Sequence, residues 1–265
     1  MVVASAVDPP MVVGFRLAVT GGAVAIALVA LGVSLSNRAV IAFAPWSVTA
    51  GMVPHLAATE LYEPYTVLLT MPASVLVIAT IAGVSWLFGL LLAMVRGRSG
   101  GEEYLASSGI GALLAVSTGV FYSASTVTAT GVVWFLITPI AAVLLALVGY
   151  FVLGLVYTTP LVTFRFTGLF VVFAVTVDGV AATVFGRGNT GSVSGVFGWT
   201  MGAAGVSSIP WAYTVGALAF GLATVVFCSR FTERSRSLAN GLAIAVVVTT
   251  LTPTTYTLVS AALGG

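Results

Sequence analysis

Asp178 is an acidic side chain in the middle of a long apolar run, VVFAVTVDGVAATVF. A bare carboxylate at the centre of a bilayer costs about 2.5–3.5 kcal/mol on the insertion scale, so it must face protein or water, be paired, or carry a proton. Asp178 therefore either belongs to a substrate or proton site or makes a buried hydrogen bond between packed helices. It is the first candidate site residue.

Four further polar side chains are predicted to lie near the outer edge of the membrane, in the same half as Asp178. They are His55, Glu60, Glu63 and Arg187. Each has a simpler interpretation as well. A single histidine near a helix end is often interfacial, the two glutamates are typical of a solvated loop, and an arginine that closes a span snorkels to lipid headgroups.

The depth of these residues decides which of them are able to meet. At about 1.5 Å per helical residue, Asp178 lies roughly 20 Å from Arg165, and His55 lies roughly 25 Å from Arg38. Both positions fall in the outer half of the bilayer. We therefore expect an outward-facing polar site, in which His55 and Asp178 are neighbours if their two spans pack together. The expected members are Asp178, His55, Glu60, Glu63 and Arg187.

Catalytic and metal-binding motifs are not found. One histidine excludes H-E-x-x-H and any metal site with two histidines, and the lack of lysine excludes a retinal Schiff base. Glu102 and Glu103 supply only half of an E-E-x-x-x-R pattern, because Ser107 stands at the arginine position. We expect no catalytic residue, no metal and no cofactor. An intramembrane lipid-processing enzyme that uses Asp178 and His55 remains an alternative without a motif.

The composition determines which elements carry these residues. Hydrophobic residues make up 59% of the 265 and charged residues only 6%, whereas a soluble domain carries roughly 25% charged residues. This excludes soluble enzymes, nucleic-acid binders and disordered chains. The expected surroundings are the lipid bilayer of the cell membrane, with other copies of the chain or other membrane subunits as compatible partners.

Charges and Gly/Pro/Ser clusters divide the chain into apolar runs long enough to cross a bilayer. They predict one all-α domain over residues 1–265, a polytopic bundle of about eight transmembrane helices. The predicted spans 1 to 8 are 12–35, 40–58, 71–95, 105–123, 131–156, 166–185, 211–229 and 240–262. A signal peptide begins with a basic region, and residues 1–10 contain Asp8 but no basic residue. Span 1 is therefore expected to be retained rather than cleaved.

The arginines predict the orientation of the bundle. Seven of the nine lie in the connections after spans 1, 3, 5 and 7, and positively charged loops stay cytoplasmic. We therefore expect both termini outside. Span 8 carries the hydroxylated stretch TTLTPTTYT, which either lines a polar cavity or supplies hydrogen bonds between helices.

Six residues carry a family resemblance: Ala44, Pro45, Trp46, His55, Asp178 and Gly179. In these residues and in its layout the chain resembles an archaeal, mainly haloarchaeal family of multi-pass membrane proteins, the domain of unknown function number sixty-three. In that family an APW opens span 2 and a HALDG element lies in a later span. Here Val175 replaces the histidine of that element, and GRGNTGSVSG replaces a further acidic element. The resemblance implies a membrane protein without an assigned activity.

These observations lead to two functional hypotheses from different classes. The first is a membrane protein that handles a small solute, an ion or a lipid at the outward-facing site around Asp178. The second is a non-catalytic scaffold or assembly subunit. A water-accessible cavity that holds both Asp178 and His55 favours the first, and solid packing around Asp178 favours the second.

Overall fold

A computed structural model describes residues 21–23, 34–58, 66–96, 101–124, 127–185, 210–232 and 235–264. Every regular element in these residues is a helix. The helices are α1 (Asn37–Ala42), α2 (Ala44–Met52), α3 (Thr66–Leu69), α4 (Ala73–Val95), α5 (Glu102–Ser123), α6 (Ala129–Val156), α7 (Thr159–Phe185), α8 (Pro210–Thr232) and α9 (Arg236–Ala262). A 3-10 turn, Val53–Ala58, continues α2, and residues 21–23 are also helical.

Seven helical segments of the described residues are long and apolar enough to cross a membrane. They are Asn37–Ala57, which joins α1, α2 and most of the 3-10 turn, and the six long helices α4 to α9. The predicted fold class, a polytopic helical bundle, is confirmed, and the seven segments match predicted spans 2 to 8. Predicted span 1, residues 12–35, lies largely outside the described residues. Predicted span 1, and with it the total of eight spans, therefore stays a prediction. The side of the membrane on which each terminus lies also stays a prediction.

Side-chain caps and a proline set several helix boundaries. Ser36, Thr128 and Ser235 each accept a hydrogen bond from a backbone N–H in the first turn of α1, α6 and α9, which satisfies one of the donors that a helix start leaves unpaired. Pro45 has no N–H to donate and is tolerated in a first helical turn, so the APW motif starts a new helix, α2, at Ala44.

Trp46 fixes α2 to α5. Its indole N–H donates to the carbonyl oxygen of Leu105 at 3.0 Å, and the side chain is buried. Gly109 makes this approach possible, because a Cβ at that position would lie 2.8 Å from the indole ring. Pro45 and Trp46, which the resemblance singles out, therefore have a structural role that the contacts explain.

The last helix, α9, lies at the centre of the bundle. It packs against α2, α6, α7 and α8, while α7 and α8 form the most extensive helix pair. Small residues bring these helices together: a Cβ at Gly51 would collide with the carbonyl oxygen of Thr252 on α9. Close backbone approach at small residues is how helices gain packing energy in a membrane, where the hydrophobic effect does not drive association.

Three of the connections that are predicted to lie on the cytoplasmic face are found together at one end of the bundle. Arg38, Arg165 and Arg236, from the connections after predicted spans 1, 5 and 7, line the same cavity. The Ser36 hydroxyl donates to Glu102 at 2.8 Å, which places the start of α5 at this end too. The grouping is the one that the arginine pattern predicts. That this end faces the cytoplasm stays a prediction.

Candidate functional sites

Asp178 lies in α7 and is only 3% exposed. Its Oδ1 atom accepts a hydrogen bond from the Thr254 hydroxyl of α9 at 2.8 Å. The same hydroxyl lies 2.6 Å from the carbonyl oxygen of Thr250, so one hydroxyl proton faces two acceptors. This contact is a buried hydrogen bond between helices, which is the structural interpretation of the acid.

The α7 backbone beside Asp178 is pressed against α8. A Cβ at Gly179 would collide with the methyl group of Ala217 and lie 2.8 Å from the carbonyl oxygen of Tyr213. One turn further on, the hydroxyls of Thr183 and Thr214 are 2.8 Å apart. Asp178 is thus enclosed by packed helices, and the missing side chain of Gly179 permits the close approach of α8.

His55, in the 3-10 turn, also binds α9. Its Nε2 atom lies 3.2 Å from the carbonyl oxygen of Tyr256, and its ring stacks on the Tyr256 ring with centroids 4.8 Å apart and an interplanar angle of 19°. Because a carbonyl oxygen only accepts hydrogen bonds, Nε2 carries the proton and donates it.

Asp178 and His55 contact different faces of α9. Their partners, Thr254 and Tyr256, are two residues apart, and residues at this spacing point in nearly opposite directions from a helix. The spans that carry Asp178 and His55 instead touch at the arginine-rich end, where Asn37 donates to the carbonyl oxygen of Thr163. Asp178 and His55 therefore each bind their own side of α9.

The remaining members of the expected outward site do not complete it in the described residues. Glu60, Glu63 and Arg187 lie outside those residues, so the site of five residues stays a prediction. Thr252 donates to the Ser47 carbonyl oxygen of α2 at 3.1 Å, and Thr254 binds Asp178. These two hydroxyls of the TTLTPTTYT stretch are therefore used for hydrogen bonds between helices.

A second polar site lies at the arginine-rich end of the bundle. It is a cavity of about 570 Å³, which we call the arginine cavity. Its lining residues are Asn37, Arg38, Ile41, Val162, Thr163, Phe164, Arg165, Phe166, Thr167 and Arg236. These residues, from the described part of the chain, include three arginines and no acidic side chain. The volume falls in the range of about 300–1,000 Å³ that is usual for ligand pockets.

Hydrogen bonds hold two walls of the arginine cavity together. The Asn37 side-chain amide donates to the carbonyl oxygen of Thr163 at 3.2 Å, and the Thr167 hydroxyl donates to the carbonyl oxygen of Asn37, also at 3.2 Å. These two bonds join the start of α1 to α7 directly beside the arginines. The backbone positions of Arg38 and Arg165 are consequently tied to each other.

Arg165 has an unusual backbone conformation, with φ 47° and ψ −125°, which interrupts α7. A non-glycine residue in such a region costs about 1–3 kcal/mol, and such residues cluster at functional sites. The Tyr150 hydroxyl donates to the carbonyl oxygen of Arg165 at 2.9 Å. Gly168 leaves room for that hydroxyl, because a Cβ there would lie 2.5 Å from it. The interruption is therefore supported by specific contacts.

The sequence pattern assigned Arg38, Arg165 and Arg236 to one face of the membrane but did not identify them as a site. They lie far apart in the chain, and only the packing of α1, α7 and α9 brings them round one cavity. The sequence does not predict the interruption, because neither Arg165 nor its two chain neighbours is a glycine or a proline. The one available signal was the shared sign of charge on connections predicted to lie on the same face.

No family model, curated protein or solved structure matches this chain. The resemblance to the archaeal family therefore stays a prediction, and the functional argument depends on the two sites themselves.

Proposed function

We propose that this multi-pass membrane protein binds an anionic ligand in the arginine cavity, on the cytoplasmic face of the cell membrane. The observation that carries the proposal is the meeting of Arg38, Arg165 and Arg236 round one cavity, with no acid among the described residues that line it. This keeps the expected function class, the handling of a small solute, ion or lipid, and assigns it to the end of the bundle opposite the predicted outward site.

Guanidinium chemistry supports an anionic ligand. Arginine stays protonated at any physiological pH and presents a planar fork of N–H donors that matches a phosphate or carboxylate group. Several cations in one concave site, with low-dielectric walls, add their potentials and raise the local concentration of anions. A ligand with a phosphate group satisfies both the charge and the donors.

The competing interpretation is that the three arginines serve only membrane orientation. Orientation needs positive charge on the right loops and does not depend on where in a loop the charge lies. The bonds between Asn37, Thr163 and Thr167 and the costly backbone of Arg165 are not needed for orientation. They are the features expected of a site whose charged groups are held in place.

A pair of matched double variants tests the proposal. Replacement of Arg38 and Arg236 by glutamine removes two charges from the cavity, and replacement of Arg96 and Arg230 removes two charges from elsewhere on the predicted cytoplasmic face. Arg96 binds the Tyr104 hydroxyl at 2.7 Å, and neither residue of this pair is a lining residue of the cavity.

The readout is the binding of phosphatidylglycerol to the purified full chain, measured by native mass spectrometry. At about 1 kcal/mol per arginine near a membrane surface, the cavity double variant should bind the lipid roughly 30-fold more weakly, and the control pair should bind within about threefold of the parent. Equal losses in the two variants would refute a specific site and leave only the general effect of charge.

The scaffold function is a second candidate. Its support is the solid packing round Asp178, with the Thr254 hydroxyl on one side and the tight contact of Gly179 with α8 beside it. A scaffold binds other subunits or other copies of itself. Chemical cross-linking in the native membrane, followed by identification of the linked chains, tests it, and a chain that stays monomeric and unlinked speaks against it.

A further inference from the structure

An apolar groove of about 310 Å³ lies next to the arginine cavity. Every described residue that lines it is apolar, and these residues come from α1, α6 and α7. On its own such a groove would be unremarkable, because the outer surface of a membrane bundle is apolar throughout and is covered by lipid chains. Its position relative to the arginines is what distinguishes it.

The groove and the arginine cavity share two lining residues, Ile41 and Phe166. Phe166 directly follows Arg165 in the chain, so the side chain at the rim of the groove is adjacent to one of the three cations. A ligand that lies in the cavity therefore has an apolar channel beside it, with no polar side chain among the groove residues that the structure describes.

The groove extends from the charged end of the bundle towards the membrane centre. On α7 it is lined from Phe166 to Phe173, which is a distance of about 10 Å along a helix. This is roughly a third of the hydrocarbon thickness of a bilayer. Ala146 forms part of the lining and is fully buried. Its small side chain leaves the groove open between the larger residues on either side.

These positions match the two parts of a lipid molecule. A soluble anion would use the arginine cavity and leave the groove to bulk lipid. A neutral lipid would use the groove and gain nothing from the guanidinium groups. An anionic membrane lipid uses both, because its headgroup lies at the depth of the arginines and its chain runs parallel to the helices.

We propose that the apolar groove holds a hydrocarbon chain of an anionic membrane lipid whose headgroup is bound by Arg38, Arg165 and Arg236. This inference rests on the proposed function, since it names the class of ligand that the arginine cavity takes. It adds a requirement that the proposed function alone does not have, namely a chain that fits between α6 and α7.

Substitutions at the rim of the groove test the added requirement. Val143 lines the groove and is 42% exposed, whereas Leu144, its neighbour on α6, is 60% exposed and is not among the lining residues. Val143→Phe fills the groove and Leu144→Phe adds the same ring to the general lipid-facing surface. Leu147→Trp and Val148→Trp form a second pair of the same kind one turn further along α6.

Binding of phosphatidylglycerol and of phosphatidylcholine to the full chain is measured by native mass spectrometry, with glycerol 3-phosphate as a soluble competitor. We expect the parent to prefer phosphatidylglycerol at least tenfold. Val143→Phe and Leu147→Trp should each weaken phosphatidylglycerol binding at least fivefold, while Leu144→Phe and Val148→Trp stay within twofold of the parent. Glycerol 3-phosphate should compete at least 100-fold more weakly than the whole lipid.

The possible failures are distinguishable. If both groove variants bind the lipid like their controls while the Arg38 and Arg236 double variant loses binding, the chain site is refuted and the anion site stands. Competition by glycerol 3-phosphate as strong as that by the lipid also refutes the chain site and indicates a soluble anion. If the arginine variant binds the lipid like the parent, the proposed function itself fails.

Discussion

Helix α7 carries two polar regions that place a charged side chain in different surroundings. The interior cluster, formed by Asp178, Gly179 and Thr254, encloses its acid between α7, α8 and α9 and gives it a hydroxyl partner. The arginine cavity, thirteen residues earlier on the same helix, gathers three cations, and the described residues that line it include no acid. Inside the bundle a charge must be partnered by protein, whereas at the membrane surface it is free to recruit a ligand.

The difference separates burial from the proposed function: the buried acid makes a helix contact, and the proposed ligand site lies at exposed arginines. The sequence draws attention to Asp178 because it is the costliest residue to place. The structure gives this acid a hydrogen bond from a neighbouring helix, the one that the Thr254 hydroxyl donates to Oδ1. The arginines are cheap to place because they lie at the end of the bundle, and the features that need explanation there are their convergence and the backbone of Arg165.

The largest expected effect is in the interior cluster. Gly179→Leu forces a side chain into the contact with Ala217 and Tyr213, and we expect the free energy of unfolding to fall by about 3 kcal/mol, the upper end for overpacking. Gly111→Leu is the control, because a Cβ at Gly111 has nothing within 4 Å. Equilibrium unfolding in mixed micelles measures both, and equal stability of the two variants would contradict the close packing of α7 and α8.

Thr254→Val tests the partner of the buried acid. It removes the hydroxyl bound to Asp178, and we expect a loss of about 1 kcal/mol of unfolding free energy, within the range for hydrogen bonds between membrane helices. Thr249→Val is the control, since that exposed hydroxyl binds only carbonyl oxygens of its own helix. A change in phosphatidylglycerol binding in Thr254→Val would show that the two regions are not independent.

Tyr150→Phe sharpens the comparison from the side of the arginine cavity. It removes the hydrogen bond to the carbonyl oxygen of Arg165, which is worth about 0.5–1.5 kcal/mol of stability. Because that bond supports the interruption of α7 beside the arginines, we also expect phosphatidylglycerol to bind about threefold more weakly. Tyr157→Phe, just beyond the end of α6, removes the same group and should change neither quantity. Unaltered lipid binding in Tyr150→Phe would mean that the interruption does not position Arg165.

The smallest effect is expected at His55. His55→Phe keeps an aromatic ring to stack on Tyr256 but loses the Nε2 hydrogen bond, so the unfolding free energy should fall by only about 0.6 kcal/mol. Lipid binding should stay at the parental value. A loss of ligand binding without a loss of stability would instead favour the outward-facing site that includes His55.

Much of the fold follows from the sequence because hydropathy and helix length are local properties. Predicted spans 2 to 8 agree with helical segments of the structure to within a few residues at most ends, and the largest extensions are at the starts of α7 and α9. There α9 begins at Arg236 rather than at 240, and α7 begins at Thr159 rather than at 166, although the interruption of α7 at Arg165 directly precedes the predicted start of span 6. Hydropathy marks the part of a helix that lies in lipid and not where its hydrogen bonds begin.

The candidate site was predictable only in part. The depth of Asp178 in its span follows from counting residues and stays a prediction, whereas its burial between helices is a property that such a count does not give. The partners of Asp178 and His55 were not predictable, because they depend on which helix lies between two spans. No local signal places α9 there with Thr254 on one face and Tyr256 on the other.

The sequence by itself determined that the chain is a helical membrane protein and where most of its spans lie, and it predicted which arginines share one face of the membrane. These properties are set by the transfer energies of individual residues and by the length of each apolar run. Only the tertiary structure decided that Asp178 is a helix contact and that Arg38, Arg165 and Arg236 surround a cavity beside an apolar groove. Those outcomes depend on contacts between residues distant in the chain, and transfer energies contain no information about such contacts.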